Sequence, residues 1–81
     1  MSKLKKRTNK ELQRSILKSL RLKQLTLNEI AKKAGIYWPN TKHQLILLKG
    51  NDMVKEVFRH ARLRIFEITE QGLRYLKDLE R

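Results

Sequence analysis

Cysteine is absent from this chain of 81 residues, and proline occurs once. Without cysteine there is no disulfide framework, no thiolate metal site and no thiol nucleophile, and an intracellular setting is favoured. The longest uninterrupted apolar run, Leu45–Leu48, is far shorter than the roughly 20 residues that a membrane-spanning helix needs. The basic N-terminus is not followed by an apolar stretch, so we expect no secretory signal and a cytoplasmic location.

The sequence also lacks the groupings of residues that catalysis requires. Ser15 and Ser19 fall within a predicted helix and have no paired base, and the carboxylates are scattered. His43 and His60 have no second histidine, cysteine or carboxylate at the spacing of metal ligands. A domain of this length is too small for a buried active-site cleft of ordinary size. We therefore expect no enzyme activity, metal, cofactor or small-molecule ligand.

Acidic residues are scarce and unevenly distributed. Eight acids against 20 lysines and arginines give a net charge of +12, and so basic a chain normally has an anionic partner. Nucleic acid is the leading candidate, ahead of an anionic membrane surface. Residues 1–10 carry five cations and no acid, whereas residues 65–81 carry four acids and three cations. The basic surface therefore has a direction, and the C-terminal end lies outside it.

Two helix starts carry the same capping signal. In TNKE (8–11) and TLNE (26–29) a threonine N-cap is followed three residues later by a glutamate, which is the pattern of the capping box. After the first box, apolar residues recur at a spacing of four and predict a helix from about 9 to 23. The second helix is predicted to be short, because Gly35 is placed to end it in the left-handed conformation.

A third helix is predicted almost immediately after the second. Pro39 fits only a first helical turn, so this helix begins near Trp38, and Gly50 and Asn51 end it. Its predicted core-facing residues are Thr41, Leu45 and Leu48.

The rest of the sequence predicts a hairpin and a last helix. The segments MVKEVF (53–58) and LRIFEI (63–68) are rich in β-branched and aromatic residues and predict paired antiparallel strands around a cationic tip. A last helix is predicted from about 70 to 80. The order indicates an α+β winged helix-turn-helix with three helices, a two-stranded β-hairpin wing and a C-terminal helix. We expect a basic tail over residues 1–8 and one domain over residues 9–81.

From about residue 26 to residue 72, the sequence resembles the winged helix-turn-helix family of DNA-binding transcription regulators. TLNEIAKKAGI resembles the family's second helix and turn, and ITEQG resembles the start of its last helix. The compact size and the many lysines are similar to small regulators carried by archaeal viruses and plasmids. Two positions depart from the family pattern. Tyr37 stands where a serine or threonine N-cap is usual, and Asp52 stands where a glycine commonly precedes the first wing strand.

The resemblance implies that the third helix, about 38–49, reads the major groove and that the wing, about 55–64, contacts phosphates. The implied recognition-helix residues are Trp38, Pro39, Asn40, Lys42, His43, Ile46 and Lys49. The implied wing residues are Lys55, Arg59, His60, Arg62 and Arg64. In the tail, the candidates for an arm on the DNA backbone or minor groove are Lys3, Lys5, Lys6 and Arg7. A merely solubilising tail is the alternative.

Several of these features also have ordinary structural explanations. Charge at an exposed hairpin end discourages aggregation, although the absence of acids between residues 57 and 66 favours phosphate contacts. We expect at least one of Tyr37 and Trp38 to lie in the core. Ile46 is predicted to point away from the core, which suggests contact with a thymine methyl group or a protein interface.

The last helix is more apolar than a small core needs. Its candidate interface residues are Leu73, Tyr75, Leu76 and Leu79. They either pack on the first helix or form a homodimer interface, which we favour because helix-turn-helix proteins commonly pair on half-sites.

The favoured function is sequence-specific binding of double-stranded DNA by a transcriptional regulator, which we interpret as a repressor. An architectural protein that coats DNA through its phosphates is one alternative. An RNA-associated module, or a protein-interaction winged helix, is another.

Overall fold

The computed structural model describes residues 7–81. In chain order its elements are α1 (Asn9–Leu20), β1 (Leu25–Thr26), α2 (Leu27–Ala34), α3 (Trp38–Gly50), β2 (Val54–His60), β3 (Leu63–Ile68) and α4 (Glu70–Leu79). This order confirms the predicted winged helix-turn-helix architecture. Within residues 7–81, none of the helices is long and apolar enough to cross a membrane.

Both predicted capping boxes form at the starts of α1 and α2. The Thr26 hydroxyl accepts from the Glu29 backbone N–H at 3.1 Å, and the Glu29 carboxylate accepts from the Thr26 N–H at 2.8 Å. The same pair of bonds joins Thr8 and Glu11. Gly35 ends α2 with φ of +68°, as its position predicted.

The predicted extension of α1 to residue 23 is wrong, because the helix ends at Leu20. The chain leaves the helix so that Leu25 can turn into the core and pair with β3, and Leu22 on the connection is 92% exposed. The sheet consequently has three strands in the order β1-β3-β2, one more than the predicted hairpin. Leu25 lies opposite Phe66, and both are buried.

The core lies between the four helices and the inner face of the sheet. Its fully buried apolar residues are Ile16, Leu17, Leu20, Ile30, Leu48, Val54, Phe66 and Leu76. The predicted core face of α3 is confirmed, since Thr41, Leu45 and Leu48 are at most 2% exposed.

The expectation that Tyr37 or Trp38 lies in the core is wrong. Tyr37 is 73% exposed and Trp38 is 43% exposed, and Ile36 fills the core at the turn in their place. The Lys42 ammonium lies over the Trp38 ring, 5.6 Å from its centre, which is cation–π geometry on the protein surface. The aromatic pair therefore belongs to the outer face of α3.

Within residues 7–81, two non-glycine residues adopt left-handed backbone conformations. Asp52, at the turn from α3 to β2, has φ of +61°, and Ala61, at the wing tip, has φ of +54°. The first value explains why a glycine is usual at this position, and aspartate is one of the residues that tolerates the conformation. Ala61 closes a two-residue connection between β2 and β3 at a steric cost of about 1–2 kcal/mol.

The start of α4 is locked to the turn that precedes the wing. The Thr69 hydroxyl donates to the Asp52 carbonyl at 2.6 Å and accepts from the Gly72 N–H at 3.0 Å. The Thr69 N–H donates to the Met53 carbonyl at 3.0 Å. A Cβ atom on Gly72 would collide with that carbonyl oxygen and with the Ile68 side chain. This close approach explains why the ITEQG segment has a glycine at its last position.

Candidate nucleic-acid interface

Helix α3 is held by one face and presents the other to solvent. The buried residues are Thr41, Gln44, Leu45 and Leu48. All seven predicted recognition-helix residues are exposed, namely Trp38, Pro39, Asn40, Lys42, His43, Ile46 and Lys49. The structure thus brings the predicted set together on one surface.

The start of α3 is stabilised without a side-chain cap. Its N-cap residue, Tyr37, makes no capping hydrogen bond through its side chain, and Pro39 occupies the first turn. Because proline has no N–H, it leaves one fewer helix donor to satisfy. The Thr41 hydroxyl donates to the Tyr37 carbonyl at 3.2 Å and joins the helix start to the turn. The unusual Tyr37-Trp38-Pro39 start is therefore compatible with a regular helix, and both aromatic rings stay outside.

The wing places most of its predicted residues on the surface. Four are exposed, namely Lys55, Arg59, His60 and Arg62, and Arg64 is partly buried. Arg59 and Arg64 lie directly opposite each other across the hairpin. The Arg64 guanidinium also lies 5.3 Å from the centre of the Phe66 ring, where it covers the outer end of the core.

The carboxylate of Glu56 forms ion pairs with three of the predicted DNA-binding cations. Lys49 Nζ lies 3.1 Å from Glu56 Oε1. Arg59 donates from Nε at 3.1 Å and from Nη2 at 3.2 Å, and Arg64 donates from Nε at 2.6 Å and from Nη2 at 3.3 Å. We call these four residues the Glu56 cluster. It joins α3 to both wing strands and carries a net charge of +2.

A bulge in β2 makes this cluster possible. The register changes from Glu56 opposite Phe66 to Phe58 opposite Ile65, so Val57 is an extra residue in the strand. In a regular strand, residues three apart point to opposite faces. The extra residue restores Arg59 to the face that carries Glu56. The two side chains can then form their ion pair although they are three positions apart.

Hydrogen bonds dominate the electrostatics of the Glu56 carboxyl, whose side chain is 8% exposed. The bonds from Arg64, with those from Arg59 and Lys49, outweigh the effect of burial and hold the pKa of Glu56 well below its usual range. The same bonds raise the pKa of Arg64. Glu56 and Arg64 are therefore both ionised at neutral pH. Sequence reasoning missed Glu56, although it is the one acid among residues 53–66.

Surface depressions lie on both sides of Lys42. A cleft between α3 and the wing is bordered by Ile46 and Lys49 on the helix and by Arg59 and Arg64 on the strands. A second depression joins the wing tip to the starts of α2 and α3, with Asn28, Trp38, Lys42, Arg62 and Leu63 around it. Lys42 thus lies between the two places where the wing meets the helix-turn-helix.

Of the predicted tail residues, Lys3, Lys5 and Lys6 lie outside the described residues. The guanidinium of Arg7 donates to the carbonyls of Ala34 at 3.4 Å and Gly35 at 3.2 Å, and it also contacts the Ser15 hydroxyl. These carbonyls end α2, where a cation is favoured by the unpaired acceptors and the helix dipole. Arg7 thus stabilises the turn that precedes α3, a role that the sequence did not suggest.

The predicted interface residues of α4 fall into two groups. Leu76 is 1% exposed and packs in the core, and Tyr75 and Leu79 are partly buried. Leu73 remains 41% exposed. Part of the apolar stripe is therefore used within one chain, chiefly against α1, and Leu73 is its outward-facing end.

A chain of hydrogen bonds links α4 to the buried face of α3. The Tyr75 hydroxyl donates to Gln13 Oε1 at 2.9 Å, and the Gln13 amide donates to Gln44 Oε1 at 3.2 Å. The Gln44 amide then donates to Asn9 Oδ1 at 3.0 Å. Gln44 is 3% exposed, and these hydrogen bonds satisfy its polar atoms.

No group of three or more histidine, aspartate or glutamate side chains within residues 7–81 is placed to hold a metal ion.

No protein-family model matches the chain, and no curated protein sequence matches it. Solved structures do match. Sso10a-2, a DNA-binding protein from Sulfolobus solfataricus, gives a TM-score of 0.82 at 22% identity over 91% of this chain and 76% of that chain. The transcriptional regulator BldR, also from Sulfolobus solfataricus, gives 0.76 at 22% identity, and NMB1585, a MarR family regulator from Neisseria meningitidis, gives 0.72 at 19% identity.

The fraction of the matched protein that this chain covers differs between these structures. For BldR and NMB1585, 85% of this chain matches 51% of each regulator, so the chain spans about half of their length. The chain has the winged helix-turn-helix fold.

Proposed function

We propose that this protein is a sequence-specific regulator of transcription that binds double-stranded DNA as a homodimer and acts as a repressor. Helix α3, over residues 38–49, enters the major groove, and the wing, over residues 55–64, binds the flanking phosphates. One observation carries the proposal above the others. A helix anchored by four buried residues presents all seven predicted recognition residues, each of them exposed, next to a cationic hairpin.

The dimensions of α3 fit this role. A helix of 13 residues is about 20 Å long, and the major groove, about 12 Å wide, admits an α-helix. Asn40, Lys42 and His43 supply hydrogen-bonding groups that can reach base edges, and the exposed Ile46 offers an apolar contact for a thymine methyl group. Both kinds of contact carry sequence information, whereas phosphate contacts alone do not.

The charge distribution supports the orientation on DNA. Residues 65–81, which include α4, carry four acids against three cations, whereas the rest of the chain is strongly basic. This end of the molecule therefore gains the least from contact with phosphates. We place α4 away from the DNA, where the exposed Leu73 meets its counterpart in a second copy. The structures with similar folds support a nucleic-acid role, since they are described as a DNA-binding protein and as transcriptional regulators.

A second candidate is an architectural protein that coats DNA with little base discrimination. The observation that favours it is the spread of exposed cations beyond the wing and α3. On α1 and α2 these are Lys10, Arg14, Lys18, Lys32 and Lys33. A protein that binds through phosphates alone gains affinity from counterion release on any sequence.

Selection of bound sites from a pool of random duplexes separates the two candidates. The regulator predicts enrichment of one sequence, and a palindromic site would support the homodimer. Tight binding at low salt without any enrichment would favour the architectural protein. Tighter binding to structured RNA than to duplex DNA would contradict both. Placing the selected site across a promoter then tests the repressor role, which predicts less transcript in a purified transcription assay.

A further inference from the structure

An acid occupies the middle of the surface that we propose to face DNA. Considered as a charge alone, Glu56 should weaken DNA binding, because it repels phosphates. Its contacts suggest a different role. The carboxylate is nearly buried and lies beneath three cations that come from three different elements, α3, β2 and β3.

The cations above Glu56 keep donors for a second anion. A guanidinium has five N–H donors, and the hydrogen bonds of Arg59 to Glu56 use only its Nε and Nη2 atoms. The Lys49 ammonium has three donors and one contact with Glu56. Their side chains are 60% and 46% exposed, so the unused donors are open to solvent. These donors border the cleft between α3 and the wing.

The Glu56 cluster also reduces the entropic cost of binding an anion. Lysine and arginine side chains lose much rotamer freedom when a ligand orders them. Here the carboxylate already fixes Lys49, Arg59 and Arg64 in the free protein. The cluster keeps a net charge of +2, so a phosphodiester that arrives from solvent still meets an excess of positive charge.

We propose that Glu56 is a positioning residue that builds a site for one DNA backbone phosphate from Lys49, Arg59 and Arg64. The site lies in the cleft between α3 and the wing. Glu56 holds the helix side and the wing side of this cleft at a fixed separation, which sets where the wing meets the DNA backbone relative to the groove-reading helix. This inference rests on the proposed DNA-binding function, and it assigns an acid to the binding machinery.

A comparison of two charge-equivalent variants tests the proposal. Glu56→Gln removes one negative charge from β2, and Glu67→Gln removes one from β3. Glu67 pairs with Lys55 at 3.3 Å and is adjacent in β3 to Phe66, the partner of Glu56, so it lies on the opposite face of the sheet. Fluorescence anisotropy with a labelled duplex, measured at several salt concentrations, gives the affinity and the salt slope of each variant.

The proposal predicts opposite results for the two variants. Glu56→Gln should weaken duplex binding about tenfold and flatten the log–log salt slope by roughly one unit, because one phosphate contact is lost. Glu67→Gln should bind as tightly as the wild type or a few-fold more tightly, as expected for a gain of positive charge. Arg59→Ala should cost much less in the Glu56→Gln background than in the wild type, since the two residues act through one site.

Glu56→Asp separates position from charge. It keeps the negative charge but withdraws the carboxylate by one methylene, so it should also weaken binding, whereas an effect of charge alone would leave it equal to the wild type. Circular dichroism confirms that each variant is folded at the assay temperature. If Glu56→Gln is unfolded there, the affinity of Glu56→Asp decides whether Glu56 positions the cations.

Two outcomes would overturn the proposal in distinguishable ways. Tighter binding by Glu56→Gln than by Glu67→Gln, or wild-type affinity in Glu56→Asp, would make Glu56 an opposing charge only and would leave the DNA-binding function intact. Failure of the wild-type protein to bind any duplex at low salt would overturn the proposed function and this site together.

Discussion

The same substitution, glycine to alanine, should have opposite effects on stability at two helical positions. Alanine is favoured over glycine inside a helix by about 1 kcal/mol, and at Gly50, near the end of α3, a new Cβ would meet no atom within 4 Å. We therefore expect Gly50→Ala to stabilise the fold by about 0.5–1 kcal/mol.

At Gly72, in the first turn of α4, a steric clash costs more than the higher helix propensity of alanine contributes. The added Cβ would strike the Met53 carbonyl oxygen, which also accepts the Thr69 N–H. Backbone atoms cannot move aside as a flexible side chain can, so the start of α4 has to separate from the turn before β2. Overpacking of this kind costs about 1–3 kcal/mol, occasionally more. We expect Gly72→Ala to destabilise the fold by about 3 kcal/mol.

Thermal denaturation followed by circular dichroism measures both effects. For a domain of this size, a change of 1 kcal/mol moves the Tm by about 4–8 °C. Gly72→Ala should lower the Tm by more than 10 °C on this scale (about 12–24 °C), while Gly50→Ala should raise it by a few degrees. A Gly72→Ala protein as stable as the wild type would refute the close contact between α4 and the α3–β2 turn.

Three further predictions concern the wing, the assembly and the pH dependence. Arg62 lies in none of the ion pairs found within residues 7–81, so Arg62→Ala should leave the fold intact and flatten the salt slope of DNA binding by about one unit; an unchanged slope would remove it from the phosphate contacts. Leu73→Glu should give a folded monomer that binds a half-site weakly, as light scattering and anisotropy would show, whereas Leu76→Glu should unfold the chain, because Leu76 is buried. A wild-type protein that stays monomeric on its preferred site would exclude the dimer. The folded-state pKa of Glu56 is depressed, so its contribution to stability is full above the unfolded pKa of about 4.3 and is lost as pH falls towards the folded value. The stability difference between the wild type and Glu56→Gln should therefore shrink in denaturation experiments below about pH 4, and a constant difference down to about pH 2 would contradict the ion cluster.

Local signals in the sequence were sufficient for the order of the four helices and the hairpin. The capping boxes at Thr8 and Thr26 depend only on residues three apart, and Gly35 ends α2 through its own backbone freedom. The core face of α3 follows from helical periodicity once the start is fixed by Pro39. Such features are encoded within one turn of chain, and the sequence therefore predicts them.

Features that depend on distant parts of the chain were not predictable in the same way. A strand of two residues, β1, has no alternation of its own and exists because β3 offers it partners 39 or more residues away. The exposure of Trp38 depends on Ile36 filling the core first. The pairing of Glu56 with Arg59 requires a bulge in β2, which no local sequence pattern predicted.

In the candidate site, too, the features encoded by local sequence were predicted and those that depend on distant residues were missed. Helical spacing placed five residues of α3 correctly on its exposed face, namely Pro39, Lys42, His43, Ile46 and Lys49. The partners of the wing cations were missed, because Glu56 reaches Lys49 and Arg64 only after the hairpin has folded back on α3.

The central claim is that α3 reads base edges, and Lys42→Ala tests it most directly. Lys42 lies on the exposed face of α3 between the two depressions beside the wing. The affinity of the variant and of the wild type should be measured at one salt concentration, on the selected site and on a random duplex. We expect a loss of about 1–3 kcal/mol on the selected site and a much smaller loss on random DNA. Equal losses on every sequence would mean that Lys42 contacts only the backbone, and they would contradict groove reading at this position.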